Sequence, residues 1–206
     1  MHATSGDLSL KKAYQHFTPS GNIVSWAKIL WNLVILPSKS FMVWRLLHNK
    51  LATNENLAIR GFHLPSMCSL CNKEPETSIH LLLHCPFALY LWHWLASVIK
   101  INIDLSSFVS VLNICNRGWR HPQCKVTIAA AVIYIYNAVW NCRNQYRYQN
   151  IKPNLKSIIS FISASISLAG SYINLVAGTS MTDFGADKLA SLGVSLDDYN
   201  WWSSPP

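Results

Sequence analysis

The residues best suited to chemistry are three cysteines and a histidine within 18 positions: Cys68, Cys71, His80 and Cys85, in the order Cys-x2-Cys-x8-His-x4-Cys. A Cys-x2-Cys turn brings two thiolates within reach of one cation, and a Cys3His set fits tetrahedral Zn2+ at about 2.3 Å per sulfur. Four protein ligands leave no position open for water or substrate, so a zinc ion held this way is structural. Pro75 and the polar run 72–78 suit the turn between the two halves. Cys85 precedes Pro86 and so stands at a helix N-terminus, where the positive end of the dipole favours a thiolate.

Other groupings are weaker. His84 competes with His80, but it adjoins Cys85, and sequence neighbours seldom face one ion; His80 is preferred. The plain alternative is that the three cysteines are ordinary buried residues and the histidines incidental. His63 reads as a bystander. Cys115, Cys124 and His121 lack a Cys-x2-Cys pair and make no second site, and Cys142 falls among helix residues as packing.

The elements that must position these groups read as helices, with strand alternation rare. Ser9 caps a short helix from Lys11, and residues 18–22 form a loop. The pattern then predicts helices over 24–34, 39–50 (Phe41, Trp44 and Leu47 inward) and 54–60. Thr53 caps the last of these and Gly61 stops it in a left-handed conformation. A helix from Pro86 carries an apolar stripe of Phe87, Tyr90, Leu91, Trp94, Leu95 and Val98. Further helices cover 126–150 and 155–176. The expected fold is mainly α: a small helical domain (1–104) organised around the zinc loop, basic helical linker segments (105–182) and an acidic, flexible tail (183–206).

Composition agrees with a folded chain. Half of the 206 residues are apolar and 13% are charged, against ~25% in typical domains. The net charge is +8, and residues 105–182 carry seven Lys/Arg with no acid. That balance suits a polyanion, or simply a solvated basic face. The N-terminus lacks the apolar run of a signal peptide, so the six cysteines read as reduced thiols or ligands in an intracellular chain, nuclear or cytoplasmic. Residues 158–178 are uncharged, but apolar and Ser/Asn positions take separate faces. This favours a helix on a core over membrane association.

Signatures of other chemistry are missing from the sequence. There is no Gly-x-Ser-x-Gly elbow, phosphate loop or dinucleotide fingerprint, and so no small-molecule substrate is expected. Asp197-Asp198 has no partner carboxylates and reads as solvated.

Several spaced motifs occur in order: Gly6-x-Leu8-Ser9-Leu10-Lys11-x-Ala13-Tyr14, the run from Phe41 to Thr53, Cys68-x2-Cys71, Glu76-Thr77-x2-His80-Leu81 and Cys85-Pro86-Phe87-Ala88. Together they resemble the zinc-binding domain of plant non-LTR (LINE-type) retrotransposon reverse transcriptases, over roughly residues 6–98. The resemblance implies His80 and Cys85 as the last two ligands and one structural zinc. In that family the domain follows a polymerase and often precedes a ribonuclease H domain. Trp140-x2-Arg143-Asn144 looks like the linker that follows, and 184–206 like the lead-in to ribonuclease H. Neither set of catalytic carboxylates is found, so the chain reads as a non-catalytic retroelement remnant.

The expected function is weak binding of RNA or single-stranded DNA, with Lys39, Arg45, Lys50, Arg60 and Lys73 flanking the zinc loop as phosphate contacts. Phe62, Phe87 and the nearby Trp residues offer stacking surfaces, although their place on apolar stripes favours the core. The alternatives are a structural or protein-interaction module prone to self-association, and a membrane-associated protein through 158–178.

Overall fold

The computed structural model describes residues 24–119 and 122–177. The expected Ser9 helix, the 18–22 loop, His121, the 183–206 tail and Asp197-Asp198 lie outside the described residues. Seven α-helices follow in order among the described residues: α1 (Ala27–Leu30), α2 (Pro37–Leu47), α3 (Asn54–Ile59), α4 (Pro86–Ile99), α5 (Phe108–Asn113), α6 (Pro122–Gln149) and α7 (Leu155–Ala177). A π-helical turn, His80–His84, leads into α4, and a 3-10 turn, Ile114–Asn116, follows α5. The chain is mainly helical, as expected. The only strand-like feature among the described residues is an isolated antiparallel bridge between Met67 and Pro75.

Helix α6 is the axis of the fold. It packs on α1, α2, α4, α5, both short turns and α7. Every residue from Ile128 to Val139 is buried, and a helix buried all round belongs at the centre of its core. Asn137 sits within that run and is satisfied by its own side chain, which donates to the carbonyls of Ile133 (2.9 Å) and Lys39 (3.1 Å). The core runs without a break from Ile29 through the zinc loop and α4 to Ile162 and Ile166 of α7.

Local expectations were met unevenly. The helix expected over 24–34 is a single turn, α1. The next helix, expected from residue 39, starts two residues earlier with Pro37 as the first residue of α2, where a missing N–H costs nothing. The face of α2 also differs: Ser40, Met42, Val43 and Leu46 are buried, whereas Phe41 is 54% exposed. The Ser40 hydroxyl donates to the Leu30 carbonyl at 2.6 Å and makes its burial tolerable. Periodicity alone allowed either neighbouring stripe to be the inner one.

Gly61 behaves as expected. Its φ is +85°, its N–H donates to the Ala58 carbonyl, and the Phe62 N–H reaches back to Leu57. That pairing is the Schellman stop of α3. On α4, Trp92 was overlooked; it is fully buried, and its indole N–H donates to the Leu82 carbonyl at 2.8 Å.

Among the described residues no helix is long and apolar enough to cross a membrane. The two apolar positions of α7 that point hardest inward, Ile162 and Ile166, are buried.

Candidate metal centre

The zinc loop begins with a tight turn. The Asn72 N–H donates to the Cys68 carbonyl at 2.9 Å, and Asn72 takes a left-handed φ of +53° that an asparagine tolerates. The Cys68 N–H donates to the Glu74 carbonyl and the Glu76 N–H to the Ser66 carbonyl, closing the loop on itself.

Thr77 then starts the second half. Its hydroxyl accepts the His80 N–H at 2.9 Å, a helix cap that sets where His80 leaves the backbone. The next turn is π-helical, closed by the Cys85 N–H donating to the His80 carbonyl at 2.6 Å. The wider turn matters for the site. Five residues along an α-helix rotate by about 500°, leaving the ends roughly 140° apart; an i-to-i+5 closure brings His80 and Cys85 back to one side. It also allows three consecutive leucines, Leu81, Leu82 and Leu83, to be wholly buried. Burial of each contributes roughly 1.5–3 kcal/mol, which sets the cost of moving this turn.

The result is convergence. The ligand atoms of Cys68, Cys71, His80 and Cys85 all lie within 4.8 Å of one another. The Cys68 and Cys85 sulfurs are 3.9 Å apart, and the Cys71 sulfur is 3.2 Å from His80 Nε2. Around a tetrahedral zinc, those separations are about 3.8 Å for two sulfurs and about 3.6 Å for sulfur and nitrogen. The donor set therefore fits the ion. His84 points elsewhere: its Nε2 is 3.1 Å from the Leu105 carbonyl.

The electrostatics reflect crowded sulfurs. The thiol of Cys85 next to it pushes Cys68 down to about 5, against the opposing effect of burial. Cys85 moves the other way, raised by its bond to Cys68 and by burial. The Phe87 amide at the start of α4 does pull Cys85 down, as a helix N-terminus should, but the two larger effects outweigh it. Without a cation the two sulfurs thus share one proton.

Two glutamates fasten this loop to the helices: Glu76, which the sequence offered only as part of a motif, and Glu55, which it did not single out. Glu76 accepts the Asn54 N–H at the start of α3 (3.0 Å), and Glu55 of α3 accepts the Ser78 N–H (3.2 Å). Each carboxylate caps the other's helical turn. Thr53, expected to cap α3, has the extended backbone of a cap, but its hydroxyl lies 3.2 Å from the Ser78 hydroxyl instead. Arg143 of α6 completes the cluster by pairing with Glu76.

The expected phosphate contacts differ in exposure. Arg45, Lys50, Arg60 and Lys73 are exposed, and Lys39 is half-buried. Arg45 Nη2 approaches the backbone carbonyl of Lys50 at 3.4 Å, so the Arg45 side chain reaches the loop just beyond α2. Phe62 is exposed, but Phe87 is fully buried and cannot stack on a ligand. Arg143 likewise is 1% exposed and so takes no part in the basic surface expected of 105–182.

Comparison with known proteins bears on this loop. Residues 8–92 match the family described as zinc-binding in reverse transcriptase. The matched segment holds all four clustered residues, Cys68, Cys71, His80 and Cys85, together with α1–α3 and the first half of α4. A protein of Arabidopsis thaliana, provisionally named a ribonuclease H protein, is 25% identical over 91 residues, which cover 42% of this chain and 15% of that protein. Both findings agree with the retrotransposon resemblance drawn from the motifs. No solved structure matches the chain.

Proposed function

We propose that the chain is a zinc-binding module of retroelement type, in which Cys68, Cys71, His80 and Cys85 hold one structural and non-catalytic zinc. The convergence of four soft donors within 4.8 Å carries this reading. A zinc ion bound there supplies four coordinate bonds that close the loop and offers no open position for a reacting water. The protein's own part is to aim the donors: Thr77 sets His80, the π turn returns Cys85 to it, and Glu76 ties the loop to α3 and α6.

The basic surface supports weak binding of RNA or single-stranded DNA through Arg45, Lys50, Arg60 and Lys73, with Lys39 at its edge. One measurement tests the core of the reading. Protein purified under reducing conditions with added zinc is expected to hold one zinc per chain by elemental analysis. Cys68→Ser and His80→Ala should each lower that content sharply. A metal-free parent chain would refute the assignment.

A structural, protein-interaction role is the second reading, favoured by the apolar residues left outside, Leu33 at 94% exposure foremost.

A further inference from the structure

The outward face of α2 is built of rings and cations. Phe41, Trp44, Arg45 and His48 follow the i, i+3, i+4, i+7 spacing of one helical stripe, and this stripe lies opposite the buried Ser40, Val43 and Leu46. The rings form a continuous row. Trp31 and Phe41 have centroids 6.0 Å apart, Phe41 and Trp44 5.4 Å, Trp44 and His48 4.6 Å, and His48 and Trp26 5.8 Å. Trp31 is 48% exposed and Phe41 54%, and His48 is exposed; Trp44 and Trp26 are half-buried behind them.

The charge around this row has one sign. From Val24 to Asn54 the chain holds Lys28, Lys39, Arg45 and Lys50 and no Asp or Glu. Lys28, Arg45 and Lys50 are exposed. An apolar partner helix would gain from the rings but not from unopposed cations. A strand carrying both flat bases and phosphates uses both, because every base has a face that stacks and every phosphate a charge to neutralise.

We infer that the Trp31–Phe41–Trp44–His48 row is a base-stacking platform for single-stranded nucleic acid, with Arg45, Lys50 and Lys28 holding the backbone alongside. This rests on the nucleic-acid reading above and specifies it: the ligand is single-stranded, the contact is through base faces, and no base identity is read. A duplex, whose bases are already stacked on one another, presents only its phosphates to the same surface.

The test compares three labelled probes of equal length by fluorescence anisotropy at low salt, using the full zinc-loaded chain: a pyrimidine single strand, an abasic strand with the same phosphates, and a duplex. The single strand should bind tighter than the abasic strand. Trp31→Ala and Phe41→Ala should each weaken it by roughly 5- to 150-fold, the range of one lost base–ring stack, while leaving the abasic strand unchanged. Phe41→Tyr, which keeps a ring, should retain binding. Zinc content near that of the parent verifies that each variant is folded.

If the abasic strand and the single strand bind equally, or the ring variants bind as the parent does, the platform is refuted while charge-driven binding survives. If none of the probes binds, both fail. A parent chain that sediments as a dimer, becomes monomeric in Phe41→Ala and binds no probe would overturn the inference in favour of a second copy of the chain on this face.

Discussion

Glu76 and Arg143 stand 67 positions apart and meet in a buried pair, each 1% exposed. Arg143 Nε donates to both carboxylate oxygens at 3.1 Å, and Nη2 lies 2.5 Å from Oε1. Nη2 also donates to Asn54 Oδ1 and Nη1 to Asn144 Oδ1, while the guanidinium lies 5.0 Å from the Trp140 ring centroid. Arg147 adds a second donor to Asn54. Nearly every polar atom of the pair is satisfied, as burial requires. The zinc loop is thereby pinned to the central helix.

Removing Arg143 leaves the buried Glu76 carboxylate with only the more distant Arg147, 3.9 Å away, to face it. Arg143→Ala should therefore destabilise the zinc-loaded chain by about 3–5 kcal/mol. Arg143→Lys keeps the charge but not the planar fork, and should recover only part of the loss. Urea unfolding checks both; a loss in the Arg143→Ala chain no larger than that of an exposed change such as Lys152→Ala would show the pair to be idle.

The two histidines of the π turn separate ligand from neighbour. His84→Ala should keep the full zinc content, because its ring faces the Leu105 carbonyl at 3.1 Å. His80→Ala should lose it. Elemental analysis of the two variants side by side decides the matter, and the opposite pattern would reassign the fourth ligand.

Zinc uptake should release protons. With Cys85 raised by Cys68 and by burial, the metal-free site at neutral pH still carries a thiol proton there, and a cation must displace it. Affinity should thus climb with pH, by about tenfold per unit for each proton displaced, and fall on acidification. Competition with a chromophoric chelator between pH 6 and 8, corrected for the chelator's own protonation, measures the slope. A flat profile would contradict a protonated Cys85.

Thiol chemistry should sort the cysteines. Burial pushes Cys115 up to about 12 and Cys142 up to about 11, so both are poor nucleophiles at neutral pH. In the zinc-loaded chain alkylation should be slow at Cys68, Cys71 and Cys85 as well. A chelator should expose those three first, read by mass spectrometry of digested protein, and early labelling of Cys115 in the loaded chain would argue against this core.

How much was legible beforehand depended on the range of the interaction. The ligand spacing, the helical character, the Gly61 stop and the start of α4 at Pro86 are local: a few adjacent residues contain the whole reason for each. Cys68, Cys71, His80 and Cys85 could be named because short loops allow few other arrangements. Which stripe of α2 faces inward was not local, since Phe41/Trp44 and Val43/Leu46 are both apolar and only the seating of α1 and α6 chooses between them.

Residue types and spacing by themselves determined a helical chain with a Cys3His loop, because backbone periodicity and metal-ligand reach operate within a turn or two. Tertiary structure alone decided that Arg143 is an internal partner of Glu76 and not a surface cation, that α6 runs through the centre of the core, and that a row of rings is left facing outward. Those outcomes depend on which distant surfaces meet, and desolvating a charge or an aromatic face has a cost that is settled only once its neighbours are in place.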